Sequence, residues 1–420
     1  MVEEKTRKRR RVTMRLDLST KEIVVTGVGV VTPLECGKGT QDFWDKLCNG
    51  VNAIKPIHGF DVRGHKCNVG GEIVGFESFL EDCWKKEYDR CARLFALACQ
   101  HALQDARAEQ PLLQSMGVAV GTILAGIESG ERYMNEKFFL SKKGDPGLLR
   151  QHCLHAIADS IKKRFSLRGP VISITTACCS GADAIRSATA QIRNNRAAMM
   201  LAGGADILSE FVFRGFSALN ALTTDGKVRP FDKRRTGLAL SEGAGVMVLE
   251  EKNHAYKRGA KIYCTLASAG SSADAFHMVR PHKDGEGLSR AMNNALSNIE
   301  GTIDAVDYIC AHGTGTQYND GMETRAIKRV FGEKAYAIKI SSMKSMIGHM
   351  LGAASAIEAI SCVKAMEHSM IPPTINFEEP DPECDLQYVV NDAVKKNIKT
   401  CMSLSAGFGG QNTALVFRKA

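Results

Sequence analysis

The sequence predicts an α/β fold with helix-covered sheets, and three observations predict it. Apolar, β-branched runs of strand length recur from near residue 22 to the C-terminus, stretches of helical spacing lie between them, and no Pro/Gly/Ser linker separates the first half from the second.

The first strand is Glu22-Ile-Val-Val-Thr-Gly-Val-Gly-Val-Val-Thr-Pro33, which is buried in character and runs into a Thr-Pro turn. Residues 42–48 and 90–106 have helical spacing, and residues 116–122 and 171–175 are further buried strands. Strands follow at 198–207 and 243–250, then a helix at 288–296. A strand at 306–310 delivers His312-Gly-Thr-Gly-Thr316. The same alternation in both halves favours mostly parallel sheets and divides the chain into a basic, disordered extension at 1–20, a first half at 21–265 and a second at 266–420.

Composition excludes several classes. A hydrophobic content of 44% over 420 residues supports a large core, and 39 glycines against 11 prolines suit tight turns more than extended linkers. The 14 cysteines are scattered (Cys36, Cys83, Cys99, Cys264, Cys401 and others) without framework spacing, which points to a reducing, cytoplasmic compartment. No CxxC pair of the zinc type occurs, and adjacent Cys178 and Cys179 are too cramped to ligate one tetrahedral ion, so no metal is expected. The net charge of +9 is concentrated in the first fifteen residues, where seven cations face two acids. No aromatic residues interleave there, so nucleic acid is not the expected partner, and a solvated tail accounts for the charge. Neither a secretory signal nor a run long enough to cross a bilayer is present, so a soluble protein without membrane insertion is expected.

Four segments carry candidate chemistry. In Ile174-Thr-Thr-Ala-Cys-Cys-Ser-Gly-Ala-Asp-Ala-Ile185 a strand stops at Ala177 and a helix starts near Ser180, which puts a cysteine at a helix N-terminus. There the macrodipole and free N–H groups favour thiolate over thiol and can receive an oxyanion. An isolated buried cysteine is more often a small hydrophobe. Two histidines shift that balance: His312 at a strand end beside Gly313, and His349 in Ser341-Ser-Met-Lys-Ser-Met-Ile-Gly-His349, bracketed with Lys344 around a small-residue turn. One nucleophile and two histidines at sheet edges suit acyl transfer. The fourth segment, Ser405-Ala-Gly-Phe-Gly-Gly-Gln-Asn-Thr413, sets Phe408 between glycines that let it swing; a Gly-rich hairpin with a buried Phe is the competing reading.

Together these segments resemble the elongating, type II beta-ketoacyl-acyl-carrier-protein synthases, from about Lys21 to Phe417. The likeness also rests on Val25-Thr-Gly-Val-Gly, Phe43-Trp44, Arg229-Pro-Phe-Asp232, Glu242-Gly-Ala-Gly-Val, the segment from Ser272 to Met278, and Pro372-Pro-Thr-Ile-Asn376. The resemblance implies a duplicated, five-layered α/β/α/β/α thiolase fold and a homodimer. It implies decarboxylative condensation of an acyl group, held on Cys178, with a malonyl unit. Acyl and malonyl groups would both arrive on an acidic acyl carrier protein, with no cofactor. It makes Cys179 a bystander, His312 and His349 the pair that polarises the malonyl thioester, and Lys344 and Glu323, with Asp320 nearby, the polar network around them. It makes Phe408 the gate, its N–H and that of Cys178 the oxyanion hole, and Thr314 and Thr316 the pantetheine lining.

The chain departs from the family pattern at Ile123 and Ala125, where glycine is common, and at Leu124, expected to border the acyl pocket. It departs again at Ala406, Gln411, Thr236 and Val279. These departures predict an altered acyl specificity and raise the weight of a ketosynthase of a dedicated polyketide or unusual-lipid pathway. A non-catalytic, chain-length-setting partner subunit characteristically lacks the nucleophile, which Cys178 supplies here. An adaptor working through the basic tail is disfavoured further.

Overall fold

The computed structural model describes residues 21–82, 84, 88–297, 299 and 306–420, so the predicted extension at 1–20 lies outside the described residues. The large sheet contains β1 (Ile23–Val31), β2 (Gly117–Gly121), β3 (Val171–Ile174), β4 (Met199–Asp206), β5 (Gly243–Glu251) and β6 (Cys264–Ala273). The chain then adds β7 (Tyr308–Cys310), β8 (Lys339–Ser341), β9 (Gln387–Tyr388), β10 (Thr400–Ala406) and β11 (Gln411–Lys419). The strand order is β9-β8-β7-β10-β11-β6-β1-β5-β4-β2-β3.

That order contains one motif twice. In the first five strands the order is third, second, fourth, fifth, first. The set that opens at β6 repeats it as β8-β7-β10-β11-β6, with β9 added at the edge. In each set the middle strands pair parallel, while the last strand lies antiparallel between the first and the fourth. The sets meet where Ile23–Val25 pair with Leu266–Cys264. The expectation of mostly parallel sheets is therefore corrected to mixed ones. A connection as short as Gly407–Gly410 between β10 and β11 can only reverse the chain, which forces an antiparallel pair.

Strand alternation distributes the core over three apolar layers. On the outer face of the first set, Val118, Val120, Leu201 and Val248 pack on helices α1 (Arg90–Asp105) and α2 (Ala156–Arg164). On the opposite face Met200, Ala202, Met247 and Leu249 meet two central helices, α3 (Ser180–Arg193) and α4 (Ala354–His368). Those helices are covered from the other side by Tyr308, Cys310, Leu415 and Phe417 of the second set. Its outer face, with Ile309, Met402 and Val416, packs on α5 (Glu286–Ser297) and α6 (Asn319–Phe331). The result is a five-layered α/β/α/β/α stack with α3 and α4 at its centre. Among the described residues no helix is long and apolar enough to cross a membrane, and the described cysteines are free thiols.

Close backbone approach sets the centre's geometry. A Cβ on Gly121, at the end of β2, would lie 2.1 Å from the Ser180 carbonyl oxygen at the start of α3. Gly121→Ala is therefore expected to push strand and helix apart and destabilise the fold by roughly 1–3 kcal/mol, read as a lower denaturant midpoint. An unchanged midpoint would contradict this packing.

Candidate active site

The turn between β3 and α3 is built by local hydrogen bonds. Ala177 adopts a left-handed φ of 52°, which lifts the following residue out of the strand path. Cys179 N–H donates to the Thr176 carbonyl at 3.1 Å and Ser180 N–H to the Ala177 carbonyl at 3.0 Å. The Ser180 hydroxyl accepts from Thr176 N–H at 2.9 Å, and Thr176 Oγ1 donates to Asp183 at 2.7 Å. Cys178 thus sits just before the α3 N-terminus, 6% exposed. Cys179 is turned inward, its thiol directed at the Ser405 and Gln411 carbonyls at 3.4 and 3.3 Å, so it anchors the hairpin that carries Phe408.

His312 leaves β7 in a loop held by Glu323 of α6, whose carboxylate accepts from His312 N–H at 2.7 Å and Gly313 N–H at 2.9 Å. Asp320 accepts from Gly315 N–H and Phe231 N–H, and the hydroxyls of Thr314 and Thr316 lie 2.9 Å apart. His349 is fixed by backbone bonds: its N–H donates to the Ala239 carbonyl at 2.8 Å and its own carbonyl accepts from Ser241 N–H at 3.0 Å. These anchors bring the predicted nucleophile and both histidines together. The Cys178 sulfur and one ring nitrogen from each histidine lie within 4.8 Å of one another, and the two rings meet edge to face at 5.5 Å.

The ring protons follow from the hydrogen bonds. Leu351 N–H donates to His349 Nδ1 at 2.9 Å, so that nitrogen is an acceptor and the proton sits on Nε2. Lys344 Nζ lies 3.4 Å from His312 Nδ1 and 2.7 Å from its carbonyl oxygen. An ammonium only donates, which assigns the proton to Nε2 there too. Burial holds both imidazoles well below their usual pKa, with Lys344 pushing the same way, so both are neutral N–H donors. A trio of one sulfur and two nitrogens has the spacing to take a soft cation, but this donor set does not fit one. Ligation through Nε2 would move each proton to Nδ1, where a donor already points.

Lys344 ion-pairs with Glu358 of α4, and both side chains are about fully buried. The expectation that Lys344 and Glu323 share one network is refined: Glu323 holds the His312 backbone, and the carboxylate on Lys344 is Glu358. Sequence reasoning missed Glu358, although an acid five residues into an otherwise apolar, Ala-rich helix just after His349 is a readable signal. Burial pushes both Glu323 and Glu358 up to about 7. Lys344→Met is expected to destabilise the protein by about 3 kcal/mol by stranding a buried carboxylate. The loss should be larger at pH 8 than at pH 6. The wild-type pair is ionised only above about 7, and without Lys344, which lowers it, the Glu358 carboxyl is pushed further up, so only at the higher pH does the variant lose an ion pair that wild type has. Urea titrations at the two pH values check this, and an equal loss at both would contradict it.

The expected thiolate is also corrected. Burial pushes the Cys178 thiol up to about 11, against the Lys344 charge and the Phe408 N–H, which both pull it down. A helix terminus contributes about 1 to 2 kcal/mol at most, and desolvation outweighs it here. The resting group is a thiol whose anion, once formed, meets donors already in place. Alkylation of Cys178 by iodoacetamide should therefore climb about tenfold per pH unit between pH 7 and 10, and a plateau below pH 8 would contradict the assignment.

Phe408 lies in the turn between β10 and β11, its N–H pulling the Cys178 thiol's pKa down and its ring stacked on Phe216 at 5.4 Å and 16°. The turn lies against the nucleophile loop: a Cβ on Gly407 would meet the Ala177 Cβ at 3.1 Å. Gly409 N–H donates to the Met278 carbonyl at 2.7 Å. The competing hairpin reading holds in part, since β10 and β11 are a hairpin with this aromatic at its tip, although its side chain is half-buried. Leu124 joins an apolar cluster with Ile123, Leu208, Phe216 and Leu351, and Phe216 links that cluster to Phe408. Phe216 is a second residue that sequence reasoning did not single out.

Comparison with known proteins decides the family. The model of the beta-ketoacyl synthase N-terminal domain matches residues 20–255, and that of the C-terminal domain matches residues 263–378. This chain belongs to the beta-ketoacyl synthase family. The synthase is 37% identical over 417 residues to a 3-oxoacyl-[acyl-carrier-protein] synthase 2 of Synechocystis, covering 96% of this chain and 99% of the relative. It is 36% identical to the tetracenomycin polyketide synthase ketoacyl synthase alpha subunit of Streptomyces glaucescens, covering 95% and 97%. A solved structure of a type II polyketide acyl-carrier protein in complex with its ketosynthase superimposes with a TM-score of 0.87 at 33% identity, covering 95% of this chain and 99% of that one. The synthase is thus an acyltransferase with the thiolase fold.

Proposed function

We propose that the synthase elongates an acyl chain by decarboxylative condensation, taking both acyl and malonyl groups from an acyl carrier protein. The observation that carries this is the buried trio of Cys178, His312 and His349, with both imidazoles neutral and protonated at Nε2. In the first half-reaction the Cys178 sulfur attacks the carrier thioester, forms an acyl-Cys thioester and releases the carrier thiol, which takes the cysteine's proton. N–H groups of Cys178 and Phe408 are the proposed oxyanion donors. In the second, malonyl carrier loses carbon dioxide, and the electron pair of the broken C–C bond becomes an enolate whose oxygen receives both Nε2–H groups. The enolate carbon attacks the acyl-Cys carbonyl, the C–S bond breaks, 3-oxoacyl carrier leaves, and the Cys178 thiolate takes a proton from water to restore the thiol. Glu323 and Lys344, itself paired with Glu358, hold His312, backbone groups of Ala239, Ser241 and Leu351 hold His349, and Thr314 and Thr316 offer hydroxyls to pantetheine.

Carrier recognition is part of the same reading, supported by the relative solved with its carrier bound. So are cytoplasmic residence, a pair of structural halves at 21–265 and 266–420, and a homodimer. The dimer is supported by β3, an edge strand whose four residues are half exposed, and by exposed Met134, Phe138, Phe139 and Leu140. A second reading, a ketosynthase of a polyketide or unusual-lipid pathway, keeps the same residues and is favoured by the polyketide relatives and by Ile123 and Leu124 in the cluster that Phe216 links to Phe408. Loading of Cys178 from a panel of acyl carriers, followed by intact mass, tests both: preference for ordinary saturated chains supports fatty acid elongation, and preference for short oxidised chains supports the second. Leu124→Ala should shift the preferred chain by two or more carbons, and an unchanged profile would remove Leu124 from the pocket.

A further inference from the structure

Asp206 ends β4 with its carboxylate fully buried, and among the described residues no cation pairs it. Its oxygens instead collect donors from two separate segments. Thr122 Oγ1 donates at 2.8 Å, and the N–H groups of Ile123 and Leu124 donate at 2.9 Å each, all from the loop after β2. Gly352 N–H donates at 2.7 Å from the turn after His349. The preceding N–H, that of Leu351, is the one that fixes His349 Nδ1. Two consecutive N–H groups thus face two ways, one to the histidine ring and one to the carboxylate. Nothing larger than glycine fits at 352, since a Cβ there would lie 2.6 Å from Asp206 Oδ2 and 3.1 Å from the Thr122 Cα. The Thr122 hydroxyl also accepts from Ala125 N–H at 2.9 Å, which closes the loop on itself.

We infer that Asp206 is a positioning residue that locks the acyl-pocket loop at 122–125 to the turn carrying His349, so that the fit of the acyl chain sets the efficiency of decarboxylation. This rests on the condensing reading above. A carboxylate is suited to the task because it only accepts, and each of its oxygens serves both an amide of the loop and a further donor. A chain that displaces Leu124 pulls on the same carboxylate that holds Gly352. The displacement then reaches His349 through a single residue, Leu351. Chain length is accordingly read twice, once when Cys178 is acylated and again when carbon dioxide is lost.

The test separates the half-reactions. Wild type, Asp206→Asn, Thr122→Val and Thr122→Ser are loaded with octanoyl or hexadecanoyl carrier, and Cys178 acylation is followed by intact mass. Malonyl carrier is then added and carbon dioxide release is timed. The amide of Asp206→Asn cannot accept at both oxygens, so acylation is expected within about threefold of wild type while carbon dioxide release falls about 10²-fold. The rate ratio between octanoyl and hexadecanoyl enzyme should collapse towards one. A parallel fall of both half-reactions, or none in either, overturns the inference. If Asp206→Asn fails to fold, the threonine pair decides. Thr122→Val should slow carbon dioxide release several-fold with loading kept and Thr122→Ser should restore it, whereas equal rates for the two overturn the inference. A wild-type protein that never gains an acyl mass instead overturns the condensing reading itself.

Discussion

Cys178→Ala gains no acyl mass from any acyl carrier, and its condensation rate falls by about 10⁴-fold or more. Cys179→Ala loads within a few-fold of wild type. The contrast follows from a single turn. The left-handed Ala177 raises Cys178 into the site beside both histidines, while the next residue points its thiol at the Ser405 and Gln411 carbonyls. No other cysteine groups with the two histidines among the described residues, so no thiol replaces Cys178 when it is lost. Intact mass with tryptic mapping reads the outcome, and acyl groups found on Cys179 of Cys178→Ala, or a loss of loading in Cys179→Ala, would contradict it.

His349→Ala is expected to load Cys178 nearly as well as wild type but to release carbon dioxide from malonyl carrier about 10²- to 10³-fold more slowly, the loss typical of one oxyanion donor. The same argument applies to His312. His349→Gln recovers part of the rate, because an amide N–H can reach towards the position of Nε2–H. An imidazole held well below its usual pKa takes up no second proton around neutral pH, so decarboxylation should show no limb at the ordinary histidine pKa near 6.5. A rate that collapses below pH 6.5 with no loss of folding would mean that a titrating histidine acts as an acid or base. The donor assignment would then fail.

The strands at 198–207 and 243–250 and the helix at 288–296 were legible to within two residues, because an element buried in a layered core has a continuous or strictly periodic apolar pattern. The antiparallel last strand of each half was not, since strand direction depends on connections, and only the Gly407–Gly410 hairpin betrays its own. At the site, Cys178, His312 and His349 were legible from glycine-flanked turns, and their convergence within 4.8 Å is a property of the fold. The thiol state of Cys178 was misread, because a sequence displays a helix N-terminus but not the dryness around it. Glu358 was readable as an acid early in an Ala-rich helix, but its role declares itself only when Lys344 is found opposite. Asp206 was hidden for a like reason: its four strong donors come from residues 122–124 and 352, and no local pattern connects them.

The central claim is that acyl-Cys178 and malonyl carrier meet in one site and are joined there with loss of carbon dioxide. Wild-type protein loaded with one acyl group per chain and freed of the donor carrier should be mixed with malonyl carrier, while carbon dioxide, carrier mass and Cys178 mass are followed together. The predicted result is one carbon dioxide and one 3-oxoacyl carrier for each acyl group lost from Cys178. Acyl groups that remain on Cys178 while malonyl carrier is untouched, or carbon dioxide released with no 3-oxoacyl carrier formed, would contradict it.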